Sequence, residues 1–296
     1  MPLPGTGPVA PNTVERPQWR GARGDSAGMI DHDRHPIAWR ESGAGPPVMF
    51  LHGLGGTRTA WDPQLRALDS RFRCIAWDMP GYGASAPLAR LTFPAIADSL
   101  AGLLDTLDIE SADLVGLSFG GMHALHTAIR HPPRVRSLVL ADTSPAFGLD
   151  GTTPQAWKAA RLAHLDAGQS PAEFAGGILD AISAKTLEPP LRSRLIESFG
   201  RISPAGFRAA VECLPHHDVR HALGGISAPA LIIVGEADRE TPVAYAEALA
   251  AGLPNATLEI LEGVGHLSPS EAPERFNQLV GDFLSRPGAP SATTER

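Results

Sequence analysis

The most constraining feature of the chain is the run Gly116-Leu117-Ser118-Phe119-Gly120-Gly121, set between an apolar stretch, Ala112 to Leu117, and a helical pattern over Phe119–Arg130. Small residues two before and two after a serine, at a strand-to-helix switch, allow a turn sharp enough to strain the serine backbone. Such a turn lifts the hydroxyl clear of a sheet edge, with a helix N-terminus beneath it that favours developing negative charge. A serine N-cap in a glycine-rich turn would share the bare pattern. The other residues of the chain decide between the two.

The chain around this run alternates β-rich apolar segments with longer helical ones. Strands are expected at Pro47 to Leu51, Phe72 to Trp77, Ala112 to Leu117, Val135 to Ala141, Ala230 to Val234 and Ala256 to Leu261, after a hairpin in which Met29–Ile30 and Ile37–Arg40 flank Asp31-His32-Asp33-Arg34. Helices are expected around 58–68, 93–107, 119–130, 243–253 and 273–284. Continuous apolar strands suit a sheet covered on both faces, and the strand–helix rhythm implies right-handed crossovers. The fold class is therefore α/β, a mostly parallel central sheet flanked by helices. From about Ser144 to Arg220 no buried strand is visible, only helical segments punctuated by Gly and Pro, which reads as a helical cap inserted after the sixth strand. The expected division is an N-terminal Pro/Gly-rich arm over 1–27, read as extended or disordered, core over 28–144, cap over 145–220, core again over 221–287, and a tail over 288–296.

A serine hydroxyl needs a base, and the base an orienting acid. Beyond Ser118 the chain supplies Asp238 in the turn after Leu231–Val234, and His266 in the loop after the strand ending at Leu261. Both follow parallel strands at their carboxyl ends, the edge that also carries Ser118 and where open α/β sheets place their sites. Asp142, after Val135–Ala141 at the same edge, and Glu236, two residues before Asp238, are alternative acids. His52-Gly53-Leu54-Gly55-Gly56 ends an early strand, and the backbone amides of Leu54 and Phe119 would then face a developing oxyanion. His52 reads as a prop for this loop rather than a reacting group. Leu54, Phe119 and Leu267 adjoin these elements and are candidate pocket walls; in the cap, Trp157, Phe147, Phe174, Phe199 and Phe207 either line a pocket or form the cap's own core.

Taken together these stretches resemble the α/β-hydrolase superfamily over about residues 28–286. Trp77-Asp78-Met79-Pro80-Gly81-Tyr82-Gly83-Ala84-Ser85 is similar to the family's D-x-P/R-G-x-G-x-S turn, which implies a structural role for Asp78. Trp61-Asp62-Pro63-Gln64-Leu65 and His266-Leu267-Ser268 are similar to patterns of 3-oxoadipate enol-lactonase-like hydrolases and small cofactor-free esterases. The resemblance implies a serine hydrolase with Ser118, Asp238 and His266 catalytic, working without cofactor or metal on a small or medium-sized ester or lactone. Serine at 118 argues against the haloalkane dehalogenases and soluble epoxide hydrolases, which place aspartate there. Leu267 stands where carbon–carbon bond hydrolases of aromatic breakdown commonly carry an aromatic residue. Alternatives are C–C bond hydrolysis or perhydrolysis with the same triad, and a ligand receptor on a hydrolase scaffold.

Other signals point elsewhere only weakly. His216, His217, Asp218 and His221 form a metal-like cluster, with His217 and His221 on one helix face if a helix forms there, but no third ligand set accompanies them. His123 and His126 read as packed or solvent-facing. The 25 basic and 32 acidic residues give a net charge of −7 without a basic patch, so nucleic acid and anionic membranes are poor partners. No apolar run approaches the roughly 18–20 residues that span a bilayer, and, with neither a basic n-region nor an apolar h-region in the first residues, no secretory signal is expected. The two cysteines, Cys74 and Cys213, cannot build a disulfide framework, so a cytoplasmic setting is expected.

Overall fold

The computed structural model describes residues 28–286; the expectations for the N-terminal arm and the C-terminal tail lie outside the described residues. Eight strands form one sheet: β1 (Ile30–His32), β2 (Trp39–Ser42), β3 (Pro47–Leu51), β4 (Arg73–Trp77), β5 (Ala112–Leu117), β6 (Val135–Ala141), β7 (Ala230–Gly235) and β8 (Ala256–Leu261). Their spatial order is β1-β2-β4-β3-β5-β6-β7-β8, with β1–β2 and β2–β4 antiparallel and every other pair parallel. The hairpin and the parallel core stand where the apolar runs place them, with strand ends differing by one or two residues.

Side chains alternate between two buried faces, as a sheet covered on both sides requires. In β3, Val48 and Phe50 join a core with Trp61, Phe276 and Val280, while Met49 and Leu51 point into the other, larger core. In β7, Leu231 and Ile233 face the first, Ile232 and Val234 the second. Helices α1 (Asp62–Leu68), α2 (Phe93–Thr106) and α3 (Phe119–Arg130) fall in the first half of the chain, with a 3₁₀ turn over Arg58–Trp61 leading into α1 where one continuous helix was expected.

Between β6 and β7 lie α4 (Pro154–Asp166), α5 (Pro171–Ile182), α6 (Pro189–Gly200) and α7 (Pro204–Cys213). Pro154, Pro171, Pro189 and Pro204 open these four helices rather than break them: each occupies a first-turn position, where its missing N–H has no intrahelical partner to lose. The side chains of Thr153 and Ser203 cap α4 and α7, and Ser170 with Glu173 forms a capping box on α5. The chain ends with α8 (Val243–Gly252), a short α9 (Ser268–Glu271) and α10 (Pro273–Leu284).

The expected helix face carrying His217 and His221 does not form. Leu214–His216 is a 3₁₀ turn, and His217 is extended at φ −76° and ψ 116°. Backbone bonds from Phe147 N to His217 O (2.8 Å) and from Val219 N to Pro145 O (2.9 Å) hold this stretch against the start of the cap connection. His217 is buried while His216 and His221 are exposed, so the three do not converge. Among the described residues, no group of three or more His, Cys, Asp or Glu is placed to hold a metal ion, and no helix is long and apolar enough to cross a membrane.

Candidate active site

Ser118 sits between β5 and α3 at φ +53° and ψ −115°, a strained conformation for a non-glycine residue. Its surroundings over-determine it. Ser118 N donates to Ala141 O at 2.8 Å, and its carbonyl accepts from Thr143 Oγ1 at 2.7 Å. A Cβ on Gly116 would collide with the Gly120 carbonyl, and one on Gly120 with Leu51 O, so helix, elbow and strand approach this closely only with glycine at both positions.

His266 and Asp238 come to the same edge. His266 Nδ1 donates to Asp238 Oδ2 at 2.8 Å, since a carboxylate only accepts; in the neutral ring Nε2 is then the acceptor for the Ser118 hydroxyl at 2.9 Å. Asp238 is fixed in turn by Glu240 N (2.8 Å) and Thr241 N (3.0 Å) on Oδ1 and by Thr241 Oγ1 (2.8 Å) on Oδ2. Of the other carboxylates, Glu236 is exposed and accepts from Gly263 N, away from the imidazole. Asp142 is fully buried at φ +45°, and its oxygens accept from Gly235 N (2.9 Å) and Ser268 N (3.0 Å). It ties together the ends of β6 and β7 and the segment after His266, and has no hydrogen bond to the ring.

The electrostatics follow from that arrangement. Burial disfavours the imidazolium of His266, but the charge and hydrogen bond of Asp238 outweigh it and hold the ring above its ordinary pKa. Burial also pushes Asp238 up, and His266, by charge and hydrogen bond, reverses the sign and leaves it below the usual carboxylate range. Asp142 is raised, by burial first and by the neighbouring Asp238 charge second.

The loop after β3 is held by two aromatic residues. His52 accepts from Met79 N through Nε2 (3.1 Å) and donates through Nδ1 to Gly53 O (2.9 Å), which is the propping role expected of it. Tyr82 stacks on His52 and donates its hydroxyl to Leu54 O at 3.1 Å. Among the described residues, neither Leu54 N–H nor Phe119 N–H makes a hydrogen bond, which leaves both donors unused beside Ser118. Asp78 is structural: it accepts from Arg58 N (2.8 Å) and Ala84 N (3.0 Å) and pairs with the Arg58 guanidinium.

A cavity of about 320 Å³ opens over Ser118 and His266. Leu54, Leu267, Trp157 and Phe147 line it, together with Leu179, Phe199 and Phe207. Phe119 is a correction: its side chain is not a pocket wall but packs in the core against Phe93 and His123, because the first turn of α3 aims it inward. The cap aromatics do both jobs, Phe199 and Phe207 facing the cavity while Phe174 packs behind them. Polar groups at the cavity's solvent side are Asp150, Arg161, Arg239, Glu240 and Tyr245, with Arg161 paired to Glu240. The sequence reading missed Thr241, whose Asp-x-x-Thr spacing is that of a side-chain-capped turn, and Tyr82, whose partner is distant in sequence.

Comparison with known proteins agrees with this fold. The profile of the alpha/beta hydrolase fold family matches residues 46–273. The chain is 30% identical over 249 residues to 3-oxoadipate enol-lactonase 1 of Acinetobacter baylyi, covering 81% of this chain and 88% of that protein. It is 35% identical over 263 residues to 2-hydroxymuconate semialdehyde hydrolase of Pseudomonas sp. strain CF600, covering 84% and 90%. Among solved structures it resembles the esterase of Exiguobacterium antarcticum, with a TM-score of 0.78, 26% identity, and coverage of 84% of this chain and 96% of that one. With its matched span, its sheet order and its elbow, the chain belongs to the α/β-hydrolase fold family.

Proposed function

We propose that this hydrolase cleaves a small or medium-sized carboxylic ester or lactone through an acyl-enzyme on Ser118. The observation that carries the reading is the continuous relay from Ser118 Oγ through both His266 nitrogens to Asp238, open to an apolar cavity. Ser118 attacks the acyl carbonyl as His266 Nε2 takes its proton, and Asp238 stabilises the imidazolium that results. The N–H groups of Leu54 and Phe119 receive the oxyanion, preorganised by the elbow and by the His52–Tyr82 support of the Leu54 loop. Collapse of the tetrahedral intermediate breaks the acyl–oxygen bond, with the proton passing from His266 to the departing alkoxide. Water activated by His266 then releases the acid. With a lactone the alcohol stays tethered and one hydroxy- or oxo-acid leaves.

A cavity of this volume lies at the lower end of small-ligand sites, which run to roughly 300–1,000 Å³. That fits a compact acyl group better than a long chain. The named relatives include an enol-lactonase and a structurally similar esterase. No chemistry in this scheme calls for a metal or cofactor. Buried, unpaired Cys74 and Cys213 fit a reducing compartment such as the cytoplasm.

A second reading, C–C bond hydrolysis with the same relay, is favoured by the 35% identity to a hydrolase whose named substrate is a semialdehyde rather than an ester. One panel separates the two: p-nitrophenyl esters from acetate to decanoate, γ- and δ-lactones including an enol-lactone, and a vinylogous diketone, each with wild type and Ser118→Ala. Ester or lactone turnover that falls about 10⁴–10⁶-fold in the variant is expected. Turnover of the diketone alone would move the protein to C–C hydrolysis, and a variant keeping more than a tenth of the activity would end the serine mechanism.

A further inference from the structure

The backbone around His266 makes no regular ladder, so each of its N–H groups needs a partner. Four consecutive ones find them, two in Glu271 at the end of the short α9 that follows and two in segments distant in sequence. Gly265 N donates to Glu271 Oε2 at 3.1 Å, His266 N to Ile182 O at 3.0 Å, Leu267 N to Glu271 Oε1 at 3.1 Å, and Ser268 N to Asp142 Oδ2 at 3.0 Å. Only the last is anchored in the sheet. Ile182 ends α5, and Glu271 Oε2 also accepts from Ala184 N at 2.9 Å, just beyond that helix. One carboxylate therefore grips the main chain on both sides of the imidazole and the cap connection at once.

A second observation agrees. A Cβ on Gly265 would lie 2.5 Å from Ala184 N and 2.8 Å from Ile182 O, so the two backbones run against each other with no side chain between them. The end of α5 cannot shift without breaking the bond to His266 N and one bond to Glu271. Its inner face also packs on the loop, Leu179 and Leu267 sharing a small apolar cluster with Leu187 and Leu195.

We propose that Glu271 is a positioning residue through which the docked α5 segment holds His266 at the nucleophile, so that the cap helps to assemble the base as well as to shape the cavity. The inference rests on reading His266 as the general base. A 2.9 Å contact between Nε2 and Oγ leaves little room for error, since about 1 Å of misplacement can cost on the order of 10²-fold in rate. Proton transfer in this scheme is competent only while the cap backbone is seated, and displacement of α5 slows chemistry rather than only loosening binding.

Two variants test it from opposite sides. Glu271→Gln keeps the shape but turns one accepting oxygen into an amide N–H. Ala184→Pro removes the cap's donor and sets its ring Cδ where that N–H met Glu271, so it unseats the same contact from the cap side; the preceding Ser183, at φ −84° and ψ 143°, already has the conformation that precedes proline readily. For each, kcat and KM are measured on the best ester of the panel. Alongside them goes the rate at which a fluorophosphonate labels Ser118, a step in which Oγ displaces fluoride from phosphorus and the proton passes to His266. Glu271→Gln is expected to lower kcat and labelling together by about 10–100-fold, and Ala184→Pro by about 3–10-fold, with KM within threefold.

Rates within twofold of wild type in folded Glu271→Gln, a change confined to KM, or a loss that matches the loss of folded protein would overturn the proposal. If Glu271→Gln fails to fold, Ala184→Pro decides by the same criteria. Wild type that hydrolyses esters without labelling at Ser118 would bring down the serine reading and this link together, whereas wild type that labels alongside an equally fast Glu271→Gln overturns the link alone.

Discussion

The protein buries histidines in two regions and makes them different chemical objects. At the carboxyl edge of the sheet, His266 faces Asp238 and is raised in pKa despite burial. On the inward face of α3 and the stretch after α7, His123 and His217 are buried and His126 half-buried among Phe93, Phe119 and Trp77, with no carboxylate bonded to their rings. Burial drives His123 well below the ordinary imidazole value, His126 down to about 3 and His217 down to about 4. The cluster is neutral, His126 Nε2 donating to His217 Nδ1 at 3.1 Å and His217 Nε2 donating to Ser144 O at 2.8 Å. Burial alone turns an imidazole into an aromatic packing unit; a carboxylate on Nδ1 turns the same side chain into a base with a fixed orientation.

The sharpest way to break this contrast is Asp238→Asn. It leaves His266 buried with no carboxylate on Nδ1, so kcat should fall about 10⁴-fold. The base must be neutral to work, so activity is present above its pKa and lost as pH falls through it. In wild type the midpoint of kcat/KM should lie above the ordinary value of about 6.5, and in the variant the residual activity should shift to a more acid midpoint, toward the cluster's behaviour. A pH profile of both enzymes checks each half. An unchanged midpoint would mean that Asp238 does not set the basicity of the ring.

Asp142→Asn asks whether the second buried carboxylate shares that role. It holds Gly235 N and Ser268 N rather than the imidazole, so the loss in kcat should stay below about tenfold, since only the loop anchor is affected. A loss near 10⁴-fold would transfer the orienting role from Asp238 to Asp142.

The smallest effect concerns stability. Because His126 and His217 have depressed pKa values when folded, the unfolded chain binds protons that the native state refuses. Their contribution is fully present above about pH 6.5 and is lost as pH falls toward the folded values, at about 1.4 kcal/mol per pH unit for each group. Urea unfolding at pH 7, 6 and 5 should show a decline in stability on acidification, and His126→Gln should reduce its slope by about one proton. An unaltered slope would mean that His126 titrates alike in both states.

The same contrast explains what the sequence made legible. The elbow is written in consecutive residues, because Gly116 and Gly120 are required by contacts within one strand–turn–helix unit and with the neighbouring Leu51. The strands and their mostly parallel pairing were legible as apolar runs whose two faces are both covered, while their spatial order came only with the structure. The identity of the acid was open among Asp238, Asp142 and Glu236 because all three follow strands at one edge, and only side-chain direction separates them: Asp142, at φ +45°, and Glu236 both aim at backbone amides. Phe119 was misread as a pocket wall because the spacing of the motif places its N–H but says nothing of how α3 turns its ring. The His217–His221 pairing assumed a helix that the pairing of Phe147 with His217 replaces. Glu271's link to the cap left no signal: its bonds to the amides at 265 and 267 are local, but the one to Ala184 N spans 87 residues and forms only when α5 docks on the histidine loop.

The central claim is that Ser118, activated by His266, carries the acyl group. The direct measurement is rapid acid quench of wild type with its best p-nitrophenyl ester, followed by intact-protein mass and peptide mapping. One acyl mass per molecule, on the peptide that contains Ser118 and absent from Ser118→Ala, is the predicted result. An acyl group mapped to another residue, or hydrolysis at an unchanged rate in Ser118→Ala, would contradict it.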